Sequence, residues 1–315
     1  MGKHLRSDIL VERLKTWTRN TDQLNQTGET LEGIDSNFIL HALNEGKDMI
    51  QMGIVNVHQN FLAEFVTEAI SSRSKTFAIP AQSVTGSKII RLEYSPDSAE
   101  ANYYRLKKHN QADMVYTEGN PRYYDVLGSN ILVEPVPLAG NYRFLMPVRD
   151  PELDLRRGTV ETVSAPSSSL VSITLVDDTL LSTPNVAALE EAEWVCVVDY
   201  AGVAQISSIP VASYSSGSRT LTMQSGFSYT SGISAGHYVV IGHRATTHSQ
   251  LPFECMRYYI EWAKARILNF DSNADSIQEL PFLKALREQI IETVSENADI
   301  EEIPVFGSVT GSWNE

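Results

Sequence analysis

Apolar residues at helical spacing predict two helices in the first part of the chain. A stripe recurring every three or four residues predicts a short helix over residues 7–17, with Ser7 as its N-cap. A longer stripe predicts a second helix over residues 35–57, capped by Asp35 or Ser36. The members of the longer stripe are Phe38, Ile39, Ala42, Leu43, Met49, Ile50, Ile54 and Val57.

Two further helices are predicted within residues 251–297. Pro252 and Pro281 each occupy a plausible first helical position and are followed by apolar residues at core spacing. Because each of the four stripes would leave an apolar face exposed by itself, we expect the helices to pack as a four-helix bundle built from both ends of the chain.

The pattern between the two helical regions changes to period two, which is typical of strands. Residues 75–149 predict a small antiparallel β-sheet carried on the bundle. Residues 158–250 alternate in the same way, contain no lysine and are rich in serine and threonine, which predicts an inserted all-β sandwich or barrel. The expected fold class is therefore α+β.

These composition changes predict four parts. They are the N-terminal part of a core domain (1–157), an inserted β-rich domain (158–250), the C-terminal helices of the core domain (251–297) and an extended acidic and apolar tail (298–315).

Charge and cysteine content narrow the function classes. The 39 Asp and Glu residues outnumber the 25 Lys and Arg residues, and the net charge of −14 argues against a dedicated nucleic-acid binder or a protein docked on an anionic membrane. The first residues lack the apolar core of a signal peptide, and no uncharged stretch is apolar enough to span a membrane. Two cysteines exclude a disulfide framework, so both thiols are expected to be buried and reduced.

One string has the pattern of a catalytic motif. Residues 232–236 match G-x-S-x-G, with Ser234 as the nucleophile of a hydrolase. That motif places the serine between a strand and a helix, whereas a Gly/Ser-rich stretch precedes Ser234 here and a strand pattern follows it. A plain turn is the favoured interpretation.

The candidate metal, nucleic-acid and phosphate sites lack the residue spacing that each kind of site needs. His237, His243 and His248 are too far apart along an extended strand to share one zinc ion, and no acidic cluster has the spacing of a calcium loop. Residues 107–109 form a basic patch that is too small for nucleic acid, and no glycine-rich phosphate-binding motif occurs. The sequence therefore predicts no catalytic, cofactor-binding or metal-binding residues, and a protein that is not an enzyme. The acidic clusters considered for calcium are Asp177-Asp178 and Glu190-Glu191-Glu193.

Three strings resemble the head-to-tail adaptor (connector) proteins of tailed bacteriophages. The first, GIDSNFI at 33–39 with LNEG at 43–46, resembles the second helix of that family. The second is GNPRYY at 119–124 leading into LGSNILVEPVP at 127–137, and the third is YRFLMP at 142–147, which is similar to the family's next strand. The resemblance covers the first 157 residues and the C-terminal helices.

The resemblance implies a non-enzymatic structural protein of the virion neck. It implies a twelvefold homo-oligomeric ring that joins the portal protein to the tail or nozzle and lines the DNA channel, so that DNA passes without specific binding. It implies no cofactor and no membrane partner, and a protein synthesised in the host bacterial cytoplasm. In that family the C-terminal segment reaches the portal.

The C-terminal residues of this chain agree with a docking role. No Lys or Arg follows Arg287, and the tail lacks a clear period, so its apolar residues would serve as anchors on a partner. The predicted portal-docking residues are Ile300, Ile303, Val305, Phe306, Val309 and Trp313. The predicted acidic residues facing the channel or a partner are Glu288, Glu292, Glu296, Asp299, Glu301 and Glu302.

The inserted domain is a departure from the family pattern. We expect it to contact a neighbouring subunit, a capsid protein or a fibre. The alternative function is a glycan- or receptor-binding virion module, in which aromatic rings of the insert stack on sugars, although core packing explains the tryptophan equally well. Those rings are Trp194, Tyr200, Tyr214 and Tyr229.

Overall fold

We describe the fold from a computed structural model of the chain. The residues it describes are 5–24, 35–70, 73–84, 89–96, 102–109, 117–165, 169–177, 179–180, 183–184, 186–228, 232–268 and 280–298. The chain divides into two compact units, one of residues 1–51 and 149–284 and the other of residues 52–148 and 285–315.

The described residues contain five helices and eighteen strands. The helices are α1 (Ser7–Leu24), α2 (Ser36–Val57), α3 (Val186–Glu190), α4 (Cys255–Leu268) and α5 (Pro281–Ala298). The strands of the unit that includes residues 52–148 are β1 (Ala63–Ala69), β2 (Thr76–Ala78), β3 (Arg91–Ser95), β4 (Tyr104–Arg105), β5 (Lys107–Lys108), β6 (Tyr123–Leu127), β7 (Asn130–Glu134) and β8 (Asn141–Pro147). The remaining strands are β9 (Glu152–Leu153), β10 (Gly158–Ser164), β11 (Ser172–Asp177), β12 (Thr179–Leu180), β13 (Thr183–Pro184), β14 (Trp194–Val198), β15 (Ala204–Ser215), β16 (Thr220–Met223), β17 (Tyr238–Ile241) and β18 (Ala245–Thr246).

The predicted four-helix bundle is wrong. Apolar faces of α1, the first part of α2 and α4 share one core, but the extended chain around β9 adds Leu153 and Leu155 to it. These two leucines supply the apolar surface that a fourth helix would have supplied. Helix α5 belongs from residue 285 on to the other unit, where Ile291 lies against Gly53 of α2.

Both ends of the predicted long helix can be compared with the structure. Helix α2 starts one residue after Asp35, whose Oδ1 accepts the Phe38 N–H at 2.7 Å, so the predicted N-cap is confirmed. It ends at Val57, as its apolar stripe predicts. Among the described residues, no helix combines the length and the apolar character needed to cross a membrane.

Residues 158–241 build a closed barrel in the unit that also contains α1 and α4. Its six strands follow the order β10-β11-β16-β15-β14-β17, and β17 pairs back with β10. All neighbouring strands are antiparallel, and Val160, Ile173 and Leu221 lie in the barrel core. A barrel is therefore present, although the bundle expected beside it is not.

The other unit contains two four-stranded sheets that share one core. The first sheet has the order β1-β8-β3-β4 and the second has the order β2-β7-β6-β5. Only Leu106 separates β4 from β5, so the chain passes directly from one sheet to the other at that side. The two sheets meet through aromatic residues: the partly buried Phe77 of β2 stacks on the buried Tyr142 of β8, with ring centroids 4.1 Å apart.

Candidate functional surfaces

One face of α2 carries polar side chains that bind the extended chain leading into β9. Asn44, Lys47 and Gln51 are three and four residues apart and therefore share a helix face. The Asn44 amide donates to the Leu153 carbonyl oxygen at 2.9 Å and accepts the Leu153 N–H at 2.7 Å. Gln51 Oε1 accepts the Asp150 N–H at 3.1 Å. We call Asn44, Lys47, Gln51 and Asp150 the α2 clamp.

The centre of the α2 clamp is a fully buried ion pair. Lys47 Nζ lies 3.1 Å from Asp150 Oδ2, and both side chains are 0 % exposed. The ammonium also donates to the carbonyl oxygens of Asp150 (3.0 Å) and Pro151 (2.5 Å). The carboxylate accepts the Ser249 hydroxyl at 3.0 Å and the Gln250 N–H at 2.9 Å. Each charge is thus paired and hydrogen-bonded, as a charge without water must be.

A second buried carboxylate joins the barrel to the chain that enters it. Asp154 accepts two hydrogen bonds from the Arg157 guanidinium, at 3.1 and 2.5 Å, and the Ile241 N–H at 2.8 Å. Ile241 is the last residue of β17, so the carboxylate fixes both ends of the barrel's chain. The Ser7 hydroxyl, predicted to cap α1, donates to the Asp154 carbonyl oxygen at 2.5 Å.

The outer face of the first sheet carries arginines stacked on aromatic rings. The Arg143 guanidinium lies 4.6 Å from the Phe65 ring centroid and 4.0 Å from that of Tyr103, and Arg91 lies 5.1 Å from Phe65. Glu93 holds both guanidiniums, with Nε–Oε distances of 2.9 Å to Arg91 and 2.7 Å to Arg143. Phe65 is nevertheless 47 % exposed. We call Phe65, Arg91, Tyr103 and Arg143 the aromatic–arginine face.

The structure places Ser234 in a turn before a strand. Its backbone N–H donates to His237 Nδ1 at 3.2 Å, and β17 begins four residues later. A nucleophile elbow needs a helix after the serine and a base that reaches the serine hydroxyl. At Ser234 a strand follows where the motif needs a helix.

The three histidines considered for zinc have separate surroundings. His243 stacks on Trp194 with centroids 4.1 Å apart, His248 Nδ1 lies 2.9 Å from the Thr247 hydroxyl, and His237 accepts the Ser234 N–H. Within the described ranges, no group of three or more His, Cys, Asp or Glu side chains is placed to share a metal ion.

The described members of the charged clusters singled out in the sequence are exposed or partly buried. Asp177 accepts the Thr159 N–H at 3.0 Å, while Asp178 lies outside the described residues. Glu190, Glu191 and Glu193 are exposed around the end of α3. Lys107 and Lys108 are exposed in β5, and His109 packs on Tyr123 at 5.2 Å.

The aromatic residues of the glycan hypothesis do not form one platform in the described part of the chain. Trp194 is half-buried under His243, and Tyr214 is buried in the barrel core. Tyr200 is 79 % exposed in the turn between β14 and β15, and Tyr229 lies outside the described residues.

Most of the predicted docking and acidic residues lie outside the described part of the chain. Glu288 and Glu292 are exposed on successive turns of α5. Glu296 lies in α5, but its side chain is outside the described set. The predicted residues that lie wholly outside the described residues are Asp299, Ile300, Glu301, Glu302, Ile303, Val305, Phe306, Val309 and Trp313.

Sequence reasoning missed both the α2 clamp and the aromatic–arginine face. The clamp has a signal in the sequence, because three polar residues interrupt α2 at a spacing that places them on one face. The face has no such signal, because Phe65, Arg91 and Arg143 come together only through the register of β1, β8 and β3.

Both cysteines are expected to resist thiol reagents in the folded chain. Cys196 and Cys255 are free and buried, and burial raises the pKa of the Cys255 thiol to about 12. At pH 8 the reactive thiolate of Cys255 is therefore on the order of 1 in 10,000 molecules. Titration with Ellman's reagent at pH 8 should label neither cysteine until denaturant is added, and then both. Rapid labelling of the folded chain would contradict this placement.

No protein-family model matches the chain, and a search of curated proteins also finds no match. The resemblance to phage adaptor proteins therefore stays a prediction.

Proposed function

We propose that this chain is a structural, non-enzymatic subunit of a bacteriophage neck. Copies of it form a ring that joins the portal to the tail or nozzle and lines the DNA channel. The observation that carries the proposal is the aromatic–arginine face. A half-exposed Phe beside partly exposed Tyr and Arg side chains held in fixed positions is typical of the centres of protein–protein interfaces.

The restrained side chains of the aromatic–arginine face support a role in assembly. Glu93 restrains the guanidiniums of Arg91 and Arg143, so little side-chain freedom is lost when a partner covers them. Phe65 offers a half-exposed ring between these cations, which gives the partner an apolar contact as well.

The strings that resemble adaptor proteins also lie on structural elements. They fall on α2, on the β6–β7 hairpin and on β8. Ile131, Val133 and Phe144 of these strands are fully buried in the shared core of the two sheets. This placement suits segments that maintain a fold and present a surface.

The partners follow from this role. The C-terminal apolar residues named above would dock on the portal, and the barrel would contact a neighbouring subunit, a capsid protein or a fibre. Exposed carboxylates such as Glu288 and Glu292 would repel passing DNA and keep it from adhering.

Electron microscopy of the full chain mixed with its portal protein tests the proposal. We expect a twelvefold ring seated on the portal. Phe65→Ala combined with Arg143→Glu should prevent assembly of the twelvefold ring, because the double variant lacks the Phe65 phenyl group and reverses one charge of the aromatic–arginine face. Phe253→Ala, which removes an aromatic residue of similar exposure before α4, away from the barrel and the face, is the matched control and should leave the assembly intact.

Two results would contradict the proposal. Absence of any ring with the unsubstituted chain would argue against the adaptor function. A ring that survives the double substitution, with circular dichroism showing that the variant is folded, would exclude the aromatic–arginine face as its contact.

A further inference from the structure

At one side the two sheets end in β1 and β2, which residues 70–75 connect. At the side of β4 and β5 the chain itself joins the sheets. At the opposite side, β1 and β2 are the edge strands, and among the described residues no strand pairs with the outer edge of either. Such an edge presents unpaired backbone N–H and carbonyl groups, which can accept an added strand.

A cleft of about 490 Å³ lies at the side of β1 and β2. The end of β1 and the following Ile70 form one wall, and residues 76–81 form the other. Most lining residues are apolar, among them Phe77, Ile79 and Pro80, and the polar ones include Glu68, Ser74 and Thr76. The cleft is therefore bounded by two strand edges and offers apolar contact to whatever lies between them.

One residue that lines the cleft, Tyr142, has a buried hydroxyl that no described residue pairs with. Tyr142 is 3 % exposed, and its hydroxyl has no hydrogen-bond partner among the described residues. Burial raises the pKa of this phenol, so it stays protonated and is able to donate. An unpaired buried hydroxyl is costly, and a carbonyl oxygen entering the cleft would remove that cost.

We propose that the cleft binds an extended peptide strand, and that residues 303–313 of this same polypeptide are its occupant. Binding of this kind uses backbone hydrogen bonds along the strand edges and pockets for alternate side chains. The Tyr142 hydroxyl would donate to a backbone carbonyl of the bound strand, and the apolar lining would receive side chains from one of its faces.

The sequence of this segment fits the cleft. Residues 303–314 carry no charged side chain, and Ile303, Val305, Val309 and Trp313 would lie on one face of an extended strand. The segment follows α5, which belongs to the same unit as the cleft from residue 285 on. From Ala298, an extended chain reaches about 3.3 Å per residue, enough to cross a small domain.

The proposed occupant of the cleft is also part of the proposed function. The same residues are the proposed portal-docking tail, so seating in the cleft is the state of the free chain, and docking would release the segment. Binding of residues 303–313 in the cleft does not depend on the portal, and its test uses the free full-length chain.

Hydrogen–deuterium exchange of the full-length chain provides the test. Backbone amides of residues 303–313 should exchange about tenfold or more slowly than in a free peptide of the same sequence. Ala81→Trp, at an exposed position on the wall of the cleft, should remove this protection without disturbing the core. Tyr142→Phe keeps the ring stacked on Phe77 and should lower the protection about fivefold, because it removes one hydrogen bond.

Tyr94→Phe is the matched control in the same core. Its hydroxyl donates to the Ala139 carbonyl oxygen at 2.6 Å, so its loss should lower the melting temperature and leave the protection of residues 303–313 unchanged. Free-peptide exchange rates in the wild-type chain would overturn the proposal, as would protection that survives Ala81→Trp. Failure to form a ring on the portal would count against the proposed function and leave this result unaffected.

Discussion

Lys47→Met is expected to lower the free energy of unfolding by about 3–5 kcal/mol. The substitution leaves the Asp150 carboxylate buried with no cation, and the Asp150 and Pro151 carbonyl oxygens lose a donor. Urea unfolding followed by circular dichroism measures the change.

Lys264→Met is the matched control for the buried ion pair. Lys264 also pairs with a carboxylate, that of Glu261 at 2.8 Å, but both side chains are more than one-quarter exposed. A pair in contact with water contributes at most about 1 kcal/mol, so this variant should be nearly as stable as the unsubstituted chain.

A double variant separates the ion pair from the rest of the clamp. Lys47→Met with Asp150→Asn removes both charges and keeps an oxygen near Ser249 and Gln250, so it should be more stable than Lys47→Met alone. Equal loss in Lys47→Met and Lys264→Met would contradict the burial of the pair.

Gly46→Ala is expected to lower the free energy of unfolding by about 1–3 kcal/mol, even though alanine favours helices over glycine. A Cβ atom at Gly46 would lie 2.8 Å from Cβ and 2.9 Å from Cγ of Trp262, so α2 and α4 could not approach as closely. Both contacts involve the base of the tryptophan side chain, which cannot move without shifting the backbone of α4. The same urea titration measures the loss.

Gly53→Ala is the control on the same helix. A Cβ atom there would meet Cδ1 of Ile291 at 2.8 Å, but this atom is the far end of a flexible side chain and can rotate away. The variant should therefore be unchanged or gain up to about 1 kcal/mol from helix propensity. A greater loss at Gly53 than at Gly46 would show that the α2–α4 contact is looser than described.

The helix predictions succeeded where the apolar stripe was long and its cap was polar. Helix α2 has both features, and its N-cap and its last residue agree with the prediction. Helix α5 begins at Pro281, as the proline indicated. The four-helix bundle failed because an apolar stripe shows that a helix face is buried and does not show what buries it: Leu153 and Leu155 of an extended segment cover part of that surface.

The functional surfaces were less predictable than the helices. Period-two alternation indicates strands, but it does not give the partner or the register of each strand. Phe65 lies 78 positions before Arg143 in the chain, and only the β1–β8 and β3–β8 ladders place them with Arg91 on one face. The string that matches a catalytic motif, around Ser234, lies in a turn that leads into a strand.

Local properties of this protein follow directly from its residue pattern: helix stripes and caps, alternation along strands, an uncharged C-terminal stretch and an excess of carboxylates. These depend on neighbours within a few residues, so a local pattern carries them. Folding, in contrast, sets which buried charges meet, which strands lie at a sheet edge and which side chains form a face. Lys47 and Asp150 are joined by folding across 103 positions, and β1 and β2 become the walls of a cleft only because other strands occupy the centres of their sheets.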